Sequence, residues 1–264
     1  MTRSPLLAGP ALAALLVAAG PQAAVAAPST VQSEYAVSLY GLTLAKSSFR
    51  STITSSGYEL DGTLRSAGLA SVFDDTVGTV RVSGRFGAEM PRPDAYTVDY
   101  VSGKKKKNTR ITFAGGNVVS AQNTPPVRTN RPGWIPIASG HLANVADPLS
   151  ATLVPAGSPD EVCRRTIRIF DGAMRADLRL APAGRGEISI PGYEGATVRC
   201  TASFVPVSGF QQGKDSIKYL RDRARMTVAF APVGATGVYA PVEASVSTQI
   251  GTVKVRALRF EAIE

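Results

Sequence analysis

The stretch Thr166-Ile-Arg-Ile-Phe-Asp-Gly-Ala-Met-Arg-Ala-Asp-Leu-Arg-Leu180 decides the fold class. An Asp-Gly pair at 171–172 separates two short runs, and in the second run Met174, Ala176, Leu178 and Leu180 alternate with Arg175, Asp177 and Arg179. Successive side chains of a strand point to opposite faces, so this period of two puts the apolar residues on one side and the charges on the other. Asp-Gly favours a two-residue primed turn. The segment therefore predicts a β-hairpin with one dry and one wet face.

Working outward, the same alternation recurs at 34–40, 42–51, 57–65, 76–86, 95–101, 108–113 and 118–122. After the hairpin it returns at 196–206, 226–231, 238–250 and 252–260. Helical periodicity is confined to 138–153, where Asp147 is placed to cap a turn beginning at Pro148, and to a basic stretch at 216–225. The expectation is a mainly β protein: a curved antiparallel sheet or open β-barrel with one or two short helices. Pro125, Pro126, Pro132, Pro136 and Gly133 cannot sit comfortably inside a sheet. Residues 124–136 are thus expected to be a crossover joining two halves, 28–123 and 137–264, of a single domain.

Of the 264 residues, 44% are apolar and 19% charged, which excludes disordered, collagenous and coiled-coil classes. Residues 1–27 read as a secretory signal peptide: Arg3, an apolar core at 6–19, and the small residues Ala24, Val25 and Ala26 for cleavage. Pro10 and Pro21 break a run already too short for a spanning helix, so no transmembrane anchor is expected. No Cys lies near the cleavage region to carry a lipid. The chain is expected in the periplasm, which disfavours nucleic acid as a partner. Removing Arg3 with the leader lowers the formal charge from +9 to +8, so the mature protein stays basic. Such a charge speaks to association with anionic lipid or wall polymers and not to fold.

Cys163 and Cys200 are the whole cysteine inventory. An even count in an exported chain points to a disulfide. Cys163 shares parity with Ile167 and Ile169, and Cys200 with Val198, Ala202 and Phe204, so both should face apolar surroundings. The spacing is unlike a redox C-x-x-C pair, and two cysteines with one histidine are too few for a structural zinc site. The expectation is a structural bridge, with no metal and no cofactor.

No motif names a reaction. His141 is the only histidine, and the abundance of serines and aspartates makes a Ser-His-Asp arrangement formally available without singling out partners. There is no G-x-S-x-G elbow, H-E-x-x-H or phosphate-binding glycine loop. Asp74 and Asp75 are adjacent, which on a strand sends them to opposite faces. Lys104, Lys105, Lys106 and Lys107 form the strongest charge feature. Two readings apply to them: contact with an anionic surface, or a hairpin tip kept soluble and unpaired. Trp134 and the apolar run containing Leu69, Val72 and Phe73 could line an apolar ligand site or simply pack.

With the strands placed, the chain resembles a family of exported proteins of Gram-negative bacteria, domain-of-unknown-function family 3108. The residues that carry the likeness begin with Tyr35-Ala36-Val37-Ser38-Leu39-Tyr40-Gly41-Leu42, Gly57-Tyr58 and Ser66-Ala67-Gly68-Leu69. Arg110, Phe113, Gly115-Gly116 and Asp147-Pro148-Leu149-Ser150 follow. Cys163, Phe170-Asp171-Gly172, Tyr193, Cys200, Pro206 and Gly209-Phe210 complete the pattern. The resemblance implies a β-rich open barrel or curved sheet similar to bacterial lipoprotein carriers, and it supplies no catalytic residue. The function expected from sequence is non-catalytic envelope maintenance, with an acyl chain, lipid or lipidated partner held on a concave apolar face. The alternatives are a cell-envelope hydrolase using His141, and a scaffold that binds an envelope protein through a sheet edge or the basic loop at 104–107.

Overall fold

The computed structural model describes residues 29–68 and 75–263. The expected leader at 1–27, and with it Leu69, Val72, Phe73 and Asp74, lies outside the described residues. Seven strands form the first half: β1 (Ser29–Leu39), β2 (Leu42–Ile53), β3 (Gly57–Ser66), β4 (Thr76–Phe86), β5 (Pro91–Ser102), β6 (Lys105–Ala114) and β7 (Asn117–Thr124). The two-residue strands β8 (Trp134–Ile135) and β9 (Val154–Pro155) follow. The second half holds β10 (Thr166–Phe170), β11 (Arg175–Ile190), β12 (Tyr193–Ser208) and β13 (Phe210–Gln211). Helix α1 (Asp215–Asp222), β14 (Met226–Pro232), β15 (Val238–Thr248) and β16 (Gly251–Ile263) complete the chain.

One antiparallel sheet takes in both halves, in the order β10-β11-β12-β14-β15-β16-β1-β2-β3-β4-β5-β6-β7, with β9 added on β15. Its centre is the pairing of the last strand with the first, β16 against β1, from Thr30 opposite Ile263 to Leu39 opposite Val253. Alternation sets the faces. On β3, Tyr58 and Leu60 are buried while Glu59 and Asp61 face water. The inward rows of successive strands, among them Ile53, Leu60, Val82, Ile111, Phe113 and Phe260, make one core. Bulges at Glu34/Tyr35, Ser83/Gly84, Thr112/Phe113 and Ala229/Phe230 let the sheet curl around it.

The sheet does not close: β7 and β10 are its two edges and no ladder joins them. Residues 144–147 bridge the gap instead. On one side the Val145 N–H donates to the Gly116 carbonyl at 3.1 Å and the Asn144 N–H to Asn117 Oδ1 at 3.2 Å. On the other, Ala146 makes a parallel bridge to Ile169, donating to the Arg168 carbonyl and accepting from the Phe170 N–H, both at 2.9 Å. Asn123 of β7 reaches the Gly172 carbonyl beyond β10 at 2.8 Å. A single extended strap thus satisfies groups that two bare edges would leave open.

Three expectations need correction. The turn at 171–172 is a four-residue loop, because Phe170 pairs with Arg175 and Asp171 Oδ1 accepts the N–H groups of Ala173 and Met174 at 2.8 and 2.6 Å. A carboxylate that caps the loop's own amides competes with the tighter primed turn. Arg175 is not on a wet face. It is buried, with Nη1 2.6 Å from Asp177 Oδ1 but off hydrogen-bond geometry, and with Nε donating to the His141 carbonyl at 3.1 Å. The region 138–153 forms no α-helix but two 3-10 turns, Ser139–Leu142 and Ser150–Thr152, separated by the strap. The basic stretch near 216–225 does form a helix, α1, at Asp215–Asp222.

Two candidate binding cavities

The concave face of β1, β2 and β16 holds a half-open cavity of about 200 Å³. Val31, Tyr35, Phe49, Ile53, Leu153 and Phe260 line it, with Ser33, Ser47 and Ser51 as the small residues that leave the space. The Tyr35 hydroxyl donates to the Pro241 carbonyl at 2.9 Å, and its ring meets Phe49 edge-on at 5.9 Å between centroids. Burial pushes the Tyr35 phenol up to about 12, so it stays a neutral donor. Phe49 keeps its position because its cross-strand partner is Gly62, where a Cβ would stand 2.4 Å from the ring. The cavity presents mostly apolar walls and a few neutral hydroxyls, of which that of Tyr35 is already bonded. Chemically, such a space accepts hydrocarbon; an apolar cavity of about 150 Å³ suffices to take up benzene.

Beneath it lies a buried polar network. Asp147, wholly buried, accepts the Leu149 and Ser150 N–H groups on Oδ1 at 2.9 Å each and the Ser150 hydroxyl on Oδ2 at 2.5 Å. The Tyr58 hydroxyl donates in turn to Ser150 Oγ at 2.8 Å. Burial raises the Asp147 carboxyl to about 6, against the opposing pull of its hydrogen bonds. The aspartate expected to cap a helix therefore pins the strap and the 3-10 turn after it.

The second cavity is a larger cleft of about 1190 Å³ along the seam. Its walls are the β4–β5 turn, residues 155–157, and the outer side of β10 and β11. Arg92, Arg164, Arg165, Arg168 and Arg179 line it, together with Glu89 and Glu161. The disulfide stands behind this wall. Cys163 and Cys200 are bonded with Cα atoms 5.4 Å apart, within the ordinary range, and both are buried among Val162, Ile167, Leu180 and Phe230. Cys200 is on β12 as parity suggested, but Cys163 precedes β10 in the turn that delivers Arg164 and Arg165 to the cleft.

The other residues singled out in the sequence are scattered. Trp134 is half-buried on β8, which pairs with β13, and it does not line the interior cavity. Lys105, Lys106 and Lys107 extend β6, so the turn holds only Gly103 and Lys104; Lys107 Nζ lies 5.2 Å over the Tyr100 ring. Asp75 is exposed. The ring of His141 accepts the Ala138 N–H on Nδ1 at 3.2 Å, and its carbonyl receives Arg175. Among the described residues, the one hydrogen bond to that ring is from the Ala138 backbone, which does not assemble a Ser-His-Asp arrangement. Sequence reasoning missed the seam arginines because the cleft joins positions from opposite halves of the chain. The spacing of Arg164, Arg168 and Arg179 around the hairpin was the one available signal.

Fold and cavities together define a strap-closed, open antiparallel β-barrel with an apolar interior space. The chain belongs to the family described as "Protein of unknown function (DUF3108)", which it matches over residues 34–257. Among solved structures it is similar to a β-barrel-like protein of domain of unknown function DUF1849 from Brucella abortus. That pair shares 7% identity at a TM-score of 0.49, covering 89% of this chain and 98% of that one. A candidate lipoprotein from Parabacteroides distasonis is 10% identical with a TM-score of 0.33, covering 88% of this chain and 95% of that one. No curated protein matches the sequence. Among the described residues no helix is long and apolar enough to cross a membrane.

Proposed function

We propose that this chain is a non-catalytic periplasmic protein of envelope maintenance that holds an acyl chain, free or attached to a partner, in the cavity on the concave face of β1, β2 and β16. The observation that carries the reading is that cavity: about 200 Å³, walled by Val31, Phe49, Ile53, Leu153 and Phe260. Sites for apolar ligands are concave and lined mainly by hydrophobic and aromatic side chains, so a mostly apolar pocket of this size supports a hydrocarbon guest. The leader-like start and the Cys163–Cys200 bridge support an oxidising, extracytoplasmic compartment. Lys104, Lys105, Lys106 and Lys107 add a basic strand end suited to anionic headgroups.

Native mass spectrometry of protein purified from periplasmic extract, followed by titration with a fluorescent fatty acid, tests the reading. Wild-type protein is expected to carry or take up the acyl chain. Ser47→Phe, which places a ring in the cavity without touching the seam, is expected to weaken uptake by about tenfold or more. Wild-type protein that carries and binds no acyl chain, or a Ser47→Phe variant that binds as well as wild type, overturns it.

A further inference from the structure

The seam cleft is a second site, independent of the acyl-chain reading. Elsewhere some exposed arginines are paired, as Arg81 with Asp61, Arg85 with Asp94, Arg185 with Asp160 and Arg256 with Glu243, and others such as Arg65 and Arg110 stand singly on exposed strand faces. What sets the cleft apart is that its arginines share one concavity. Within the cleft, Arg165 is fully used by the protein. It donates to the carbonyls of Glu89 at 2.8 Å, Pro155 at 2.9 Å and Glu161 at 3.0 Å. Among the described residues, Glu89 and Glu161 are the acidic groups lining the cleft, and Glu161 Oε2 accepts the Gly157 N–H at 3.0 Å. That leaves Arg92, Arg164, Arg168 and Arg179 with no ion pair or side-chain hydrogen bond among the described residues.

Register brings two of the four together. Arg179 is opposite Thr166 on the β10–β11 ladder, which makes Arg168 its diagonal neighbour on the same face, and the turn before β10 adds Arg164 to the same cleft. Arg92 enters from β5, across the seam. The Asp177 carboxylate, opposite Arg168, is turned to Arg175 instead. Like charges collected in one concavity raise its potential, and each guanidinium offers a planar fork that fits two phosphate oxygens. A phosphate monoester brings close to two charges and three acceptor oxygens, enough to satisfy several forks at once. The cleft is as large as an ordinary small-molecule site, far roomier than one inorganic phosphate needs.

We propose that the seam cleft binds a ligand bearing more than one phosphate group, held by Arg92, Arg164, Arg168 and Arg179. The phosphates belong either to a soluble compound or to a lipid headgroup, and the experiment separates these sources. Calorimetric titration with tripolyphosphate at low salt is run beside co-sedimentation with vesicles containing an anionic phospholipid. Three proteins are compared: wild type, the Arg168→Gln/Arg179→Gln double variant, and a variant with Lys104, Lys105, Lys106 and Lys107 changed to Gln.

Tripolyphosphate binding at millimolar concentration or below, weakened about tenfold or more in the arginine variant and kept in the lysine variant, is the expected result. Vesicle binding with the same dependence on the arginines assigns the phosphates to a headgroup, and its absence assigns them to a soluble ligand. No tripolyphosphate binding by wild type, equal binding by the arginine variant, or binding lost only with the lysines overturns the proposal. Arg92→Gln, which changes the opposite wall and leaves the β10–β11 ladder alone, keeps the test decisive should the double variant fold poorly. The fatty-acid titration of Ser47→Phe reads the other cavity, so the two proposals fail separately.

Discussion

The interior cavity and the seam cleft are both concave, yet they are built by opposite means. The first is made mainly by continuous ladder: inward rows of β1, β2 and β16 in antiparallel register, apolar by alternation, with serines leaving the space and Leu149 and Leu153 at the ends of a 3-10 turn closing one side. The second is made where the ladder stops, from a strap, turns and the outer face of an edge strand, and it collects charge. Continuous pairing yields a dry face because every backbone group is already bonded, so only side chains decide polarity. An interrupted sheet has to satisfy its backbone with local segments, and the irregular surface that results is where polar groups converge.

The strongest way to break this comparison is to cut the covalent support of one region. Replacing Cys163 and Cys200 by Ser opens a bridge over a sequence separation of 37, and should cost ~3–4 kcal/mol in chemical denaturation. The loss should loosen the seam wall first, since Cys163 adjoins Arg164 and Arg165, and protease cleavage near 157–166 should precede loss of fatty-acid binding. Simultaneous loss of both would mean the two regions are one cooperative unit.

Next in size is the strap's own titration. Asp147 rises from 3.8 unfolded to about 6 folded, so the folded state favours the protonated carboxyl. Its contribution is greatest below pH 3.8 and is lost as pH climbs through about 6, a swing on the order of 3 kcal/mol. Urea midpoints taken across that window should show this slope in wild type, and Asp147→Asn should flatten it. An unchanged slope in Asp147→Asn would place the titrating group elsewhere.

A smaller effect sharpens the ladder side. At Gly62 a Cβ would stand 2.4 Å from the Phe49 ring, so Gly62→Ala must push that ring toward the cavity or bend β3. Overpacking of this kind costs about 1–3 kcal/mol, and fatty-acid uptake should fall with it. Full stability together with full uptake would show that the ring has another place to go.

These regions also differ in how far they could be read in advance. Alternation at 57–65 and 76–86 located β3 and β4 almost to the residue, because one wet face and one dry face leave a period of two in the chain. The strand at 175–190 was only half legible. Pro182 and Gly184 interrupt its alternation at a bulge, which the sheet absorbs by bending. The strap was not legible at all: Val145, Ala146 and Asp147 look like part of a helix start, and only their partners at Gly116 and Ile169 give them their role. Long-range pairing of that sort leaves no local period. For the same reason the cavity serines, small inward residues on well-read strands, drew no notice beside Trp134, which conspicuous size had marked as a site residue.

The finest test separates binding from stability within the cleft. Arg168 and Arg179 are exposed and make no ion pair among the described residues, so changing both to Gln removes no folded-state partner there. Neutralising them also relieves repulsion among the four gathered guanidinium groups. The double variant should therefore melt within about 0.5 kcal/mol of wild type, or slightly above it, as exposed substitutions generally do. Adding salt should narrow whatever difference exists, because screening already reduces that repulsion. A destabilisation of about 2 kcal/mol would mean that the arginines hold the β10 edge in place, and the cleft's charge would then be a structural device of the seam. Unchanged melting combined with lost tripolyphosphate binding would leave ligand recognition as the reason these charges are gathered where the sheet ends.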